Sequence, residues 1–149
     1  MKKWIAVVGA LFIIAGAYFT FRRANSPLSD KQQIALAMEQ AESALESRSA
    51  ARLKNFLAED FRHGETNRKD LSSMMAGAFW QWRDVQLLRN GEKNSVSGDT
   101  ATVTGNYALR FRPSEGATYE AHGGLYTLQL RRVSNDWKIV SASGGESLK

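Results

Sequence analysis

The chain of 149 residues contains no cysteine. That excludes a disulfide framework, a thiolate zinc site, a cysteine nucleophile and a lipid anchor through sulfur. It does not fix the redox compartment, because many periplasmic and cytosolic domains do without the residue. Only two prolines and two histidines occur. Two histidines with no carboxylate cluster beside them argue against a metal site. The chain also lacks a phosphate loop, a nucleophile elbow and a paired-carboxylate pattern, and nothing in it implies a cofactor. What is present is globular: 43% hydrophobic and 23% charged residues, enough for one domain. The net charge is +5, which at face value suggests nucleic acid or an acidic surface.

The positions of those charges change that reading. Residues 4–21, from Trp4 to Phe21, form an 18-residue run without a charge. As a helix it would span roughly 27 Å, close to the thickness of a bilayer's hydrocarbon layer. Lys2 and Lys3 precede it, Arg22 and Arg23 follow it, and Trp4, Tyr18, Phe19 and Phe21 lie near its ends. The expectation is a signal anchor behind a tail of residues 1–3. A cleaved signal peptide is the alternative, with Ala15-Gly16-Ala17 as the cleavage site. The short tail favours an inner-membrane, single-pass chain with its C-terminal domain periplasmic. Without those four basic residues, 16 basic face 15 acidic residues, so no nucleic-acid partner is expected.

Residues 22–28 read as a linker and 144–149 as a C-terminal tail. Ser29 and Gln32 have the spacing of a capping box. Ile34, Ala37, Met38, Ala41, Ala44 and Leu45 then give one apolar helical face. A second short helix is expected from Ser49, with Leu53, Phe56 and Leu57 inward and Glu59-Asp60-Phe61 at its exit. A third, capped by Asp70 or Asn67, runs from Leu71 to Trp82, with Leu71, Met74, Met75, Ala78, Phe79 and Trp82 buried. From Val85 the period becomes two. Val85 to Arg89 is a strand ending in a turn at Asn90-Gly91, and Gly98-Asp99 is a hairpin turn. Thr100 to Arg112 and Thr118 to Val133 are long strands, the latter bulged at Gly123-Gly124. Trp137 to Ser143 is the last. Helices followed by antiparallel strands make an α+β fold.

Over residues 29–143 this order resembles the NTF2-like (SnoaL-like) superfamily. The resemblance rests on the first helix, Leu53-x-x-Phe56-Leu57-x-x-Asp60-Phe61, the capped third helix and Gly98-Asp99-x-Ala101-x-Val103. Gly124-x-Tyr126-x-Leu128-x-Leu130 and Asp136-Trp137-Lys138-Ile139 complete it. It implies three N-terminal helices packed on a curved antiparallel sheet, a conical pocket and a homodimer through the outer sheet face. It does not imply one function, since the fold hosts enzymes, transport factors and assembly modules.

Asp60, His63 and Tyr107 are the candidate catalytic residues. The first two are an acid/base pair if three-residue spacing puts them on one face, and Tyr107 is a hydroxyl among inward apolar residues. Each also has a structural reading: a helix-exit Asp, an exposed turn His, a packed Tyr. His122 beside the glycines is open to the same two readings. Tyr107, Leu109, Phe79 and Trp82 are expected to line the pocket. Thr102, Thr104, Asn106, Tyr126 and Leu128 are the expected interface. Arg110, Arg112, Arg131 and Arg132 are a candidate basic patch, or a solvated edge balanced by Glu115 and Glu120. The leading expectation is a non-catalytic binding or scaffold module, with a protein partner in a membrane assembly. A single membrane helix before such a domain is also the layout of certain type IV secretion scaffold subunits. The alternative is an isomerase- or dehydratase-like enzyme using the cone.

Overall fold

The computed structural model describes residues 28–144. The expected anchor, its cleavage site and most of the tail lie outside them, and no helix among the described residues is long and apolar enough to cross a membrane.

Helix α1 (Asp30–Glu46) opens with the expected capping box: Gln32 N–H donates to Ser29 Oγ at 3.3 Å, and Ser29 N–H donates to Gln32 Oε1 at 2.9 Å. Its apolar face buries Ile34, Met38 and Ala44. It closes in a Schellman arrangement, Ser49 N–H to Ala44 O and Arg48 N–H to Leu45 O, with Arg48 at φ 56°. Helix α2 (Ala50–Lys54) lasts five residues, and β1 (Leu57–His63) follows. The expected helix exit at Glu59-Asp60-Phe61 is therefore strand. Acidic residues at a helix C-terminus oppose its dipole, whereas the free edge of β6 offers partners for the backbone. The misleading signal is the spacing of Leu53, Phe56, Leu57 and Phe61, which keeps a helical period past the end of α2.

Strand β2 (Thr66–Asn67) leads into α3 (Arg68–Gln81). Asn67 is its cap, accepting from Asp70 N–H at 3.0 Å. Phe79 is buried, but Met74, expected inward, is 64% exposed, and Trp80 is 82% exposed. Strand β3 (Arg83–Ser97) is one continuous strand. Gly91, at φ 62°, marks a bulge between Asn90 and Lys93 rather than the expected turn. Strands β4 (Thr100–Arg112), β5 (Glu120–Val133) and β6 (Asp136–Gly144) complete a sheet of order β2-β1-β6-β5-β4-β3. The bulge expected at Gly123-Gly124 is absent: β4 and β5 pair without a shift from Thr100↔Arg131 to Phe111↔Glu120. The fold is α+β, with helices gathered against a mostly antiparallel sheet.

The core lies at one end of the inner sheet face, where Ile34 and Met38 of α1 meet Ala101, Val103, Leu130 and Trp137. Arg132 locks that end. It pairs with Asp30 and with Asp99 and covers the Trp137 ring at 4.7 Å.

Candidate functional site

Away from the core the inner face is less completely buried. Along β4, Ala101 and Val103 are buried, while Tyr107 and Leu109 are half-buried. Strand register sets what surrounds them, because residues directly opposite in antiparallel strands share a face. Tyr107 lies between Arg89 and Gly124, and Leu109 between Leu87 and His122. An aromatic wall borders them. Trp82 stacks on Phe111 at 4.1 Å, Phe79 meets Trp82 edge-on at 5.9 Å, and the His122 ring lies 5.8 Å from Phe111.

Facing that wall is a polar cluster that the sequence pattern does not announce. The β3 bulge sets Gly91 and Glu92 opposite the single residue Gly105, so Glu92 turns inward. Arg89 Nε donates to Glu42 of α1 at 2.9 Å, and its Nη1 donates to Glu92. The Tyr126 hydroxyl donates to Glu92 Oε2 at 2.7 Å. It reaches there because Gly105 has no side chain: a Cβ at that position would sit 2.9 Å from the Tyr126 oxygen. Glu46 caps the group by accepting from Leu87 N–H at 3.0 Å. Burial, and then the Glu92 carboxylate, push the Tyr126 hydroxyl up to about 12. Burial works against the Arg89 charge, but hydrogen bonding to Glu42 and Tyr126 and the charges of both glutamates outweigh it and raise its pKa. The available sequence signals are Gly91 read as a bulge, and Glu42 four residues beyond Met38 on the same helical face.

Asp60, His63 and Tyr107 are not brought together. Arg131 holds Asp60 in a two-pronged ion pair at 2.7 and 3.1 Å, and its hydrogen bond keeps the exposed carboxyl below the usual range. His63 Nδ1–H donates to the Ala142 carbonyl at 2.8 Å. Tyr107 packs edge-on to Tyr126, 6.5 Å between ring centres. The helix that would have put Asp60 and His63 on one face is a strand. Beside Asp60 lies a groove of about 510 Å³, lined by Arg131, Arg68 and Lys138 among others. Its cations are engaged: Arg131 by Asp60, Arg68 by the Lys54 carbonyl and Lys138 by the Asn55 carbonyl.

The expected interface residues divide between two faces. Thr102, Thr104 and Asn106 stand on the outer face opposite Gln129, Thr127 and Leu125, and Thr102 Oγ1 donates to Gln129 Oε1 at 2.8 Å. Tyr126 and Leu128 pair with Gly105 and Val103 and pack inward against the core. The four arginines do not form one patch either. Arg110 and Arg112 lie at the opposite end of the β4–β5 pair from Arg131 and Arg132, and Arg132 turns inward to Asp30.

This helix-backed sheet is the NTF2-like fold. A candidate dehydratase of the NTF2-like family from Streptomyces avermitilis is similar, with TM-score 0.67, 19% identity, and 80% of this chain and 98% of that one covered. A candidate scytalone dehydratase from Novosphingobium aromaticivorans gives TM-score 0.73 at 16% identity, covering 80% and 85%. An NTF2-like superfamily protein from Salmonella enterica gives 0.70 at 12%, covering 80% and 92%. No protein-family model and no curated protein matches the sequence.

Proposed function

We propose that the chain is a membrane-tethered binding module. Residues 4–21 anchor it in the inner membrane with the domain on the periplasmic side, and the inner sheet face holds a small organic molecule. The observation that carries the reading is the half-buried Tyr107–Leu109 stretch between an aromatic wall and the Glu42–Arg89–Glu92–Tyr126 cluster. Such a surface suits a planar, apolar body with one polar end. Binding without catalysis is favoured because Arg89 engages both Glu42 and Glu92, and Asp60 and His63 are committed elsewhere. A dehydratase-like reaction, the activity named for two similar structures, would need a base free of such a partner.

Ligand-detected NMR of the full chain with planar aromatic amphiphiles tests the pocket. Binding that Tyr107→Ala and Trp82→Ala abolish supports it, whereas binding indifferent to both sinks it. Membrane fractionation tests the anchor separately, and a soluble mature chain beginning at Tyr18 refutes it.

A second role rests on the outer face, where Leu88 and Leu125, on the two strands flanking β4, are 70% and 69% exposed. A homodimer there, as a scaffold within a membrane assembly, would bury both. Light scattering should then show Leu88→Asp to be monomeric where the parent chain is dimeric. A parent chain already monomeric discards the dimer.

A further inference from the structure

At the end of the β4–β5 pair far from the core, the Arg110 guanidinium lies 3.8 Å from the centre of the Tyr119 ring. It has no hydrogen bond or ion pair among the described residues. Arg112 lies 5.2 Å from the same ring and donates through Nη2 to Asp84, while its buried Nε has no partner. The Tyr119 hydroxyl also donates to Asp84, at 3.3 Å. Asp84 stands at φ 50°, a left-handed conformation that aspartate tolerates better than most residues with a Cβ. One ring and one carboxylate thus hold two guanidinium groups in place. Asp84 offsets one positive charge and leaves the Arg110 donors unspent.

A planar guanidinium fixed in advance loses little rotational freedom when it grips an oxyanion through paired hydrogen bonds. We infer that Arg110 and Arg112 form a binding site for a phosphate group, separate from the inner-face pocket and independent of it. Asp84, already paired with Arg112, disfavours a highly charged anion, so a phosphate of one or two charges is the class that fits. The phosphate comes from solution or from a lipid headgroup.

The test follows the arginine Nε–H signals of the full chain in maltoside micelles, which contain no phosphate. Inorganic phosphate is titrated in one arm and short-chain phosphatidylglycerol in the other. Saturable shifts of Arg112 with inorganic phosphate, weakened at least five-fold in Arg110→Gln and about three-fold in Tyr119→Leu, establish a site for free phosphate. The same pattern with phosphatidylglycerol alone assigns it to a headgroup. No saturable shift in either arm overturns the inference, as do shifts unchanged in Arg110→Gln. Arg62→Gln, at an exposed position of β1, serves as the control that leaves the response intact.

Discussion

The Tyr126 hydroxyl crosses β4 above Gly105 to donate to Glu92 at 2.7 Å, joining β5 to the bulge of β3. The phenol is raised to about 12, from an ordinary value near 10, first by burial and then by Glu92. The unfolded chain therefore releases this proton before the folded one. Stability from this group is fully present below pH 10 and declines as pH rises from about 10 to 12. Partial exposure screens the effect to the order of 1 kcal/mol. Urea unfolding at pH 9 and pH 11.5 should show the decline, and Glu92→Gln should shrink it. Absorbance at the phenolate band should show one late-titrating tyrosine in the parent chain and an earlier one in Glu92→Gln.

Two glycines should respond to alanine with opposite signs. At Gly105 the new methyl meets Tyr126 ring and hydroxyl atoms at 2.9 to 3.1 Å, so the ring must move off Glu92. Gly105→Ala should cost about 1–3 kcal/mol, as overpacking does, and lower the Tyr126 titration. Gly77 lies inside α3 with an ordinary helical φ, and a methyl group there would meet nothing within 4 Å. Gly77→Ala should gain about 0.5–1 kcal/mol through helix propensity alone. Thermal unfolding of the pair decides both.

The same contrast shows what can be read from the chain. Strands with an unbroken register declare themselves: β4 is legible to the residue because Ala101, Val103, Tyr107, Leu109 and Phe111 alternate without interruption. Shifted registers mislead. Leu57 and Phe61, four residues apart, mimic a helix, and Gly91 mimics a turn. The candidate site depends on that second irregularity, since only the bulge turns Glu92 toward Arg89 and Tyr126. A local pattern carries no information on which long-range partner meets an extra residue. Tyr126 accordingly reads from its pattern as an outer-surface residue, one strand face away from its position.

The helix caps are legible because their chemistry is local. Ser29 and Asn67 each satisfy a first-turn N–H with a side-chain oxygen. Ser29→Ala and Asn67→Ala should each destabilise by about 1 kcal/mol. Their sites share no contacts in the structure, so the double variant should lose the sum to within about 0.5 kcal/mol. Denaturant titration checks both statements, and a markedly larger loss would mean that the two helices are coupled through α2.

The β5–β6 hairpin turns through Ser134 and Asn135, at φ 49° and 70°, between the paired residues Val133 and Asp136. Positive φ at both central positions is the type I′ geometry, which asparagine tolerates and glycine adopts without strain. Serine at the first position is the poorer fit, because its Cβ crowds the left-handed conformation. Replacing Ser134→Asn together with Asn135→Gly should therefore stabilise the domain by about 1 kcal/mol. The gain should appear mainly as slower hydrogen exchange at Val133 and Asp136 and as a higher unfolding midpoint, with the denaturant slope unchanged. A fall in the midpoint would show that the Ser134 hydroxyl or the Asn135 amide makes a contact worth more than the relief of backbone strain.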